Sequence, residues 1–293
     1  MHDQAGGLRN LFKKEKIEKE SSAKEKLCRV VCITSGKGGV GKTNLSVNLS
    51  LALVQKEFNV ILFDADLGLA NVDILIGAYS NYNLQNVLSG EKTLKEIMVK
   101  EPNGLKVIPG GSGIERLADI GREQQDSFIK QLSELEKEAD FIIIDTSAGL
   151  SRSVLQFISS AHEVVVVTTP EPTSIADAYS IVKVISSYKL HSKVKLVINR
   201  VRTEKEAKDV MEKLDAVAQK YLNVDLVYLG RLLDDPQVVQ AVKKQEPFIL
   251  SFPNSKVSES IRHIALNLVD FSADEETKKG LGGFVSKIAR FFS

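Results

Sequence analysis

The chain has 293 residues, 43% of them hydrophobic, and a formal net charge of +1 at neutral pH. That is enough apolar material for one large α/β domain with appendages, which excludes wholesale disorder. The near-zero charge gives no global reason to expect nucleic acid, leaving only a local basic patch as a route to it.

Residues 1–26 are polar and densely charged, with Lys13-Lys14-Glu15-Lys16 where a secretion signal would need an apolar core. They read as a mobile arm. No stretch approaches the ~20 apolar residues of a transmembrane helix, so a cytoplasmic location is expected. Apolar runs then appear at Arg29–Ser35, Asn59–Asp66, Leu105–Gly111, Phe141–Thr146, Glu163–Pro170, Val194–Arg200 and Val224–Gly230. Several, such as Val164-Val165-Val166-Val167, are apolar at every position rather than alternating. That is the pattern of strands covered on both faces of a mostly parallel sheet. Between them, Leu45, Leu49 and Leu53 recur at helical spacing, as do Ile181, Val184 and Ile185. The alternation predicts a doubly wound, three-layer α/β/α fold. Cys28 and Cys32 fall in the first run, share a strand face and are poorly placed to bridge, so they read as small buried residues. No pair of C-x-x-C elements suggests zinc or an iron–sulfur cluster.

Gly36-x-x-x-x-Gly41-Lys42-Thr43 lies between the first strand and a helix, the context that a phosphate loop needs. Its glycines let backbone N–H groups converge on phosphate oxygens, and the helix start adds its positive end. Lys42 is expected on the β- and γ-phosphates and the Thr43 hydroxyl on Mg²⁺. The ATP-binding stretch is thus Gly36, Lys37, Gly38, Gly39, Val40, Gly41, Lys42, Thr43 and Asn44. Asp64 and Asp66 end the second strand, where ligands bind in open α/β sheets. Asp73, farther along, reads equally as a further site carboxylate or as a helix cap or solvated loop acid. Phe141-Ile142-Ile143-Ile144-Asp145 is an apolar strand ending in a carboxylate, the Walker B pattern. Thr43, Asp64 and Asp145 form the expected Mg²⁺-binding set.

These residues resemble the MinD/ParA group of deviant Walker A P-loop ATPases over about residues 28–265. The likeness rests on Lys37-Gly38-Gly39-Val40-Gly41-Lys42-Thr43, Asp64-x-Asp66-x-Gly68-Leu69 and Asp145-Thr146-x-Ala148-Gly149. It implies catalytic roles for Lys37, Lys42 and Asp66. Lys37 would cross an ATP-dependent homodimer to the partner's phosphates, and Asp66 would handle the hydrolytic water. Asn199 resembles the asparagine that reads the adenine edge, and its neighbour Arg200 joins it in the expected ATP-binding set. Ser147 departs from the proline usual in the MinD type, which leaves the conformation of that loop open.

Within the group, Asp3-Gln4-Ala5-Gly6-Gly7-Leu8-Arg9 resembles the N-terminal D-Q-A-x-x-L-R motif of the FlhG (YlxH) branch, regulators of flagellar number and placement. The resemblance implies that Asp3, Gln4, Ala5, Leu8 and Arg9 bind the GTPase FlhF and stimulate it, with flagellar motor switch (C-ring) components as further partners.

After residue 270 the composition changes. Residues 271–283 read as a polar linker, and 284–293 as a short amphipathic helix. Leu281, Phe284, Val285, Ile288, Phe291 and Phe292 make one apolar stripe, with Lys287 and Arg290 opposite. Such a helix suits an anionic membrane surface, predicting a peripheral position at the inner face of the cell membrane. The expected organisation is therefore an arm (1–26), an ATPase domain (27–270), a linker and a membrane-targeting helix. Three other readings share the core: a division-site MinD, a ParA-type DNA-partitioning protein and an iron–sulfur carrier. The terminal helix argues against DNA, and the cysteine pattern against iron–sulfur chemistry.

Overall fold

Each apolar run forms a strand because it presents two faces that both require cover. The structure, a computed structural model, describes residues 28–66, 71–77, 80–111 and 121–271. The expected arm with Asp3, Gln4, Ala5, Leu8 and Arg9, and the terminal helix with Leu281, Phe284, Val285, Ile288, Phe291 and Phe292, lie outside the described residues. So do Gly68 and Leu69.

The first half of the fold comprises β1 (Arg29–Thr34), α1 (Lys42–Val54), β2 (Val60–Ala65), α2 (Asn71–Ile76), α3 (Leu84–Leu88), α4 (Leu94–Ile97), β3 (Val99–Lys100) and β4 (Lys106–Ile108). Next come α5 (Arg122–Glu138), β5 (Phe141–Thr146), α6 (Arg152–Ser160), β6 (Glu163–Thr168) and α7 (Pro172–Ser187). The rest is β7 (Lys193–Val201), α8 (Glu204–Tyr221), β8 (Asp225–Leu233), α9 (Pro236–Lys244), α10 (Phe248–Ser251) and α11 (Lys256–Asp270). The strands form one sheet in the order β3-β4-β2-β5-β1-β6-β7-β8, parallel throughout except for β3 against β4. This is the expected three-layer α/β/α arrangement. The antiparallel edge strand β3 was not expected, since two residues are too few to carry a period.

Strand β1 shows the two-sided burial directly. Val30 and Cys32 face the layer of α5, α6, α7 and α8, while Val31 and Ile33 face α1 and α11. Cys28 and Cys32 are free, buried and in the same layer. Burial pushes both thiols well above their ordinary range, which keeps them protonated and unreactive. Helix α1 is buried nearly all round. Leu45, Leu49 and Leu53 fill the core, while Asn48 and Ser50 satisfy themselves on carbonyls four residues back.

At the far end of β1 from the phosphate loop, Arg29 ties together three elements. Its guanidinium bonds both oxygens of Glu163, at 2.6 and 2.9 Å, and the Leu268 carbonyl at 2.6 Å. Lys195 adds a second cation to Glu163. Burial pushes the Glu163 carboxyl up, but the bonds and charge of Arg29 with Lys195 outweigh it and hold the group below its ordinary range. Replacing Arg29 with methionine should therefore cost about 2–3 kcal/mol, less than a fully broken buried pair because Lys195 remains. Urea unfolding measures this; a midpoint matching the wild type would refute the tie.

Glu136 on α5 is the opposite case. It is buried, and its Oε2 has no hydrogen-bond partner. Burial raises its carboxyl from 4.5 to about 7. The folded state then holds a proton that the unfolded chain releases, so stability falls as pH rises from about 5 to 8. With allowance for solvent screening, the cost at pH 8 is about 1–2 kcal/mol. Glu136→Gln should flatten the melting temperature across that range and leave the acidic end unchanged.

Candidate phosphate-loop site

The sheet brings the expected acids together. Strands β2 and β5 are parallel neighbours with Asp64 opposite Asp145, and β1 runs alongside with Ile33 opposite Asp145. Residues opposite each other on adjacent strands point to the same face. Both carboxylates thus emerge beside the loop that follows β1.

The loop is shaped by two glycines that admit no side chain. Gly36 lies so close to the backbone of Asp177 on α7 that an added Cβ would come within 2.4 Å of its carbonyl oxygen. Gly41, the residue before α1, has φ +94°, and a Cβ there would meet the Asn199 amide at 2.3 Å. Between them, Gly38 and Gly39 are exposed, leaving the loop's outer face bare.

Lys42 is 8% exposed, and its Nζ donates to Ser35 Oγ at 3.0 Å. Ser35 in turn donates to the Lys37 carbonyl, locking the start of the loop. Burial lowers the Lys42 ammonium's proton affinity, while Asp145 and Asp66 oppose that effect. The carboxyls respond in the other sense. Burial and the charge of Asp145 push Asp64 up to about 8, and burial pushes Asp145 up to about 6 despite its bonds from Ser46 and Thr43. Ser46 Oγ donates to Asp145 Oδ1 at 2.8 Å, yet Oδ2 is buried without a hydrogen-bond partner.

Two adjacent carboxyls that resist ionisation, one with an orphaned oxygen, suit a divalent cation. Among the described residues no group of three or more His, Cys, Asp or Glu could hold a metal by itself. Mg²⁺ keeps several waters and takes substrate phosphates with one or two protein oxygens. Thr43, Asp145 and Asp64 are the oxygen-bearing side chains grouped there.

Asp66 follows β2 at the site edge, and its backbone N–H donates to Asp64 Oδ1 at 3.1 Å. Its charge reaches both Lys42 and Asp145. Asp73 lies in the first turn of α2, and its charge still reaches Asp64. Asn199 lies near the end of β7 and donates to the Val40 carbonyl at 2.7 Å, while its Oδ1 accepts from the Arg200 N–H. In this state it braces the loop, and its neighbour Arg200 is exposed with φ +56°. Asn44 stands in the first turn of α1, its carbonyl taken by Asn48. Lys37 folds back onto its own chain, bonding Glu171 Oε2 at 3.0 Å and Thr173 Oγ1 at 3.1 Å.

Ser35, Ser46, Glu171 and Thr173 were not singled out in the sequence. Ser46 was findable, one helical turn beyond Lys42 and so on the same side of α1. Glu171 and Thr173 carried no local signal, since only the β1–β6 pairing brings them near the loop. The Ser147 region is an ordinary turn in which the Gly149 N–H bonds the Ser35 carbonyl at 2.8 Å, joining the end of β5 to the loop.

A family model described as ParA: NUBPL iron-transfer P-loop NTPase matches residues 26–269. The flagellum site-determining protein YlxH of Helicobacter pylori is 36% identical over 99% of each chain. The antiactivator FleN of Pseudomonas aeruginosa is 34% identical over 89% of this chain and 94% of its own. Among solved structures, Pyrococcus horikoshii MinD with Mg-ADP superposes with a TM-score of 0.67 at 25% identity, covering 85% of this chain and 99% of that one. The phosphate loop, the paired acids and these likenesses converge: the chain belongs to the ParA/MinD family of P-loop ATPases, with FleN and YlxH among its relatives.

Proposed function

We propose that the chain is an ATP-dependent dimerising switch that regulates flagellar number and placement. The observation carrying this reading is the 36% identity to the flagellum site-determining YlxH across nearly the full length of both chains. It hydrolyses ATP to ADP and phosphate, and that hydrolysis serves as a timer.

Bound Mg²⁺ would neutralise charge on the phosphates as the terminal phosphoryl group leaves. The chain's own groups do the rest. Lys42 and the N–H groups from Gly38 to Thr43 hold the phosphates, Thr43, Asp64 and Asp145 would hold the cation, and Asp66 orients the attacking water. Lys37 must leave Glu171 and Thr173 to reach a partner's phosphates, so dimerisation exchanges one ion pair for another.

The N-terminal residues Asp3, Gln4, Ala5, Leu8 and Arg9 stimulate an FlhF-type GTPase, and C-ring components are further partners. The stripe from Leu281 to Phe292 binds an anionic membrane when two copies are joined, since linked weak sites gain ~10²-fold or more. No helix among the described residues is long and apolar enough to cross a membrane.

A second reading, a division-site ATPase, is favoured by the likeness to MinD. GTP turnover by FlhF with a peptide of residues 1–26 separates the two. Stimulation that is lost with Gln4→Ala supports the flagellar role, and no stimulation removes it. Liposome flotation tests the membrane step: binding equal with ADP, with ATP and after deletion of 281–293 would refute it.

A further inference from the structure

Strand β8 is the last in the sheet, and a cavity of about 400 Å³ opens along its outer edge between the start of α8 and the flank of α11. It lies apart from the phosphate loop and shares no residue with it. That volume falls within the range of small-molecule sites.

Its floor is made by an irregularity. The pairing of β7 with β8 shifts register between Leu196 and Val197, so that Tyr228 and then Gly230 are matched and Leu229 is skipped. Gly230 has φ +153°, and a Cβ there would meet Ile264 of α11 at 2.6 Å. Bulges of this kind at sheet edges re-aim side chains. Tyr228 and Arg231 both line the resulting cavity.

Two donors there are unspent. The Tyr228 hydroxyl and Arg231 Nε are buried atoms with no hydrogen-bond partner. The guanidinium reaches Glu204 through Nη2 at 3.2 Å and lies beside the Tyr228 hydroxyl. Buried unsatisfied donors are costly, and two on one wall call for an acceptor from outside. Lys256 and His263 on α11 add cationic and donor groups to the same lining, against Glu259. Glu204 is already engaged by Arg231. Asn267, farther along α11, spends its amide on the Leu229 carbonyl.

We propose that this cleft binds a small organic anion through a carboxylate held by Arg231 and Tyr228. A guanidinium takes a planar carboxylate through parallel N–H bonds. A singly charged carboxylate fits better than a phosphate dianion, because Glu204 and Glu259 stand within the same cavity. The side chains of Leu233 and Ile264 offer the ligand's carbon chain an apolar wall.

Butyrate titrated into the full chain, followed by the Arg231 Nε–H resonance, tests this. The resonance should shift and saturate, with inorganic phosphate binding more weakly. Arg231→Gln and Tyr228→Phe, followed by calorimetry, should each weaken butyrate by about tenfold. Lys42→Ala should leave it unchanged, since the cleft is separate from the nucleotide loop. Absence of saturable binding to the wild type would overturn the proposal. So would unchanged affinity in folded Arg231→Gln and Tyr228→Phe, tighter binding of phosphate, or loss of binding in Lys42→Ala.

Discussion

Lys42→Ala is expected to remove productive nucleotide binding, weakening ATP by on the order of 10²-fold or more. The side chain is almost fully buried, and its ammonium donates to the Ser35 hydroxyl. A buried ammonium so lightly engaged is pre-positioned for a phosphate, and water would serve it poorly from outside. Removing it also takes a neighbouring cation from Asp145, whose carboxyl then resists ionisation more strongly. The variant should lose Mg²⁺-dependent nucleotide binding while keeping its fold, since α1 is held by Leu45, Leu49 and Leu53. Calorimetry with ATP, beside circular dichroism, measures both. Affinity within threefold of wild type would mean that the loop does not use this lysine.

Asp66→Ala should act on the next step. Its turnover is expected to fall by about 10²–10³-fold, with ATP still bound and the dimer accumulating. Asp66 lies at the end of β2, where its charge reaches Lys42 and Asp145, while Asp64 rather than Asp66 closes the local turn by accepting the Asp66 N–H. Loss of the Asp66 side chain thus leaves that turn and the phosphate grip in place. Phosphate release and gel filtration in ATP give the two readings. Hydrolysis at the wild-type rate would refute the catalytic assignment.

The seven apolar runs expected to be strands all are strands, because continuous Val and Ile runs have few stable fates other than a sheet covered on both sides. The phosphate loop was equally legible, since its chemistry is local: glycines, a lysine and a helix start within eight positions. Strand β3 and the short helices α3 and α4 escaped notice, being too brief to carry a period.

The sequence by itself therefore determined the layered fold, the loop from Gly36 to Thr43 and the acids that strand ends deliver to it. Only the tertiary structure decided which distant groups act on that loop. Asn199 braces Val40 from a strand far along the chain, and Glu171 holds Lys37 across the β1–β6 junction. The same is true of the cleft on β8, where a bulge and the approach of α11 leave the Tyr228 hydroxyl and Arg231 Nε buried without a hydrogen bond. Loop chemistry is written in consecutive residues and can be read locally. Ion pairs, orphaned donors and raised carboxyls depend on what the folded chain brings near and what it shuts away from water.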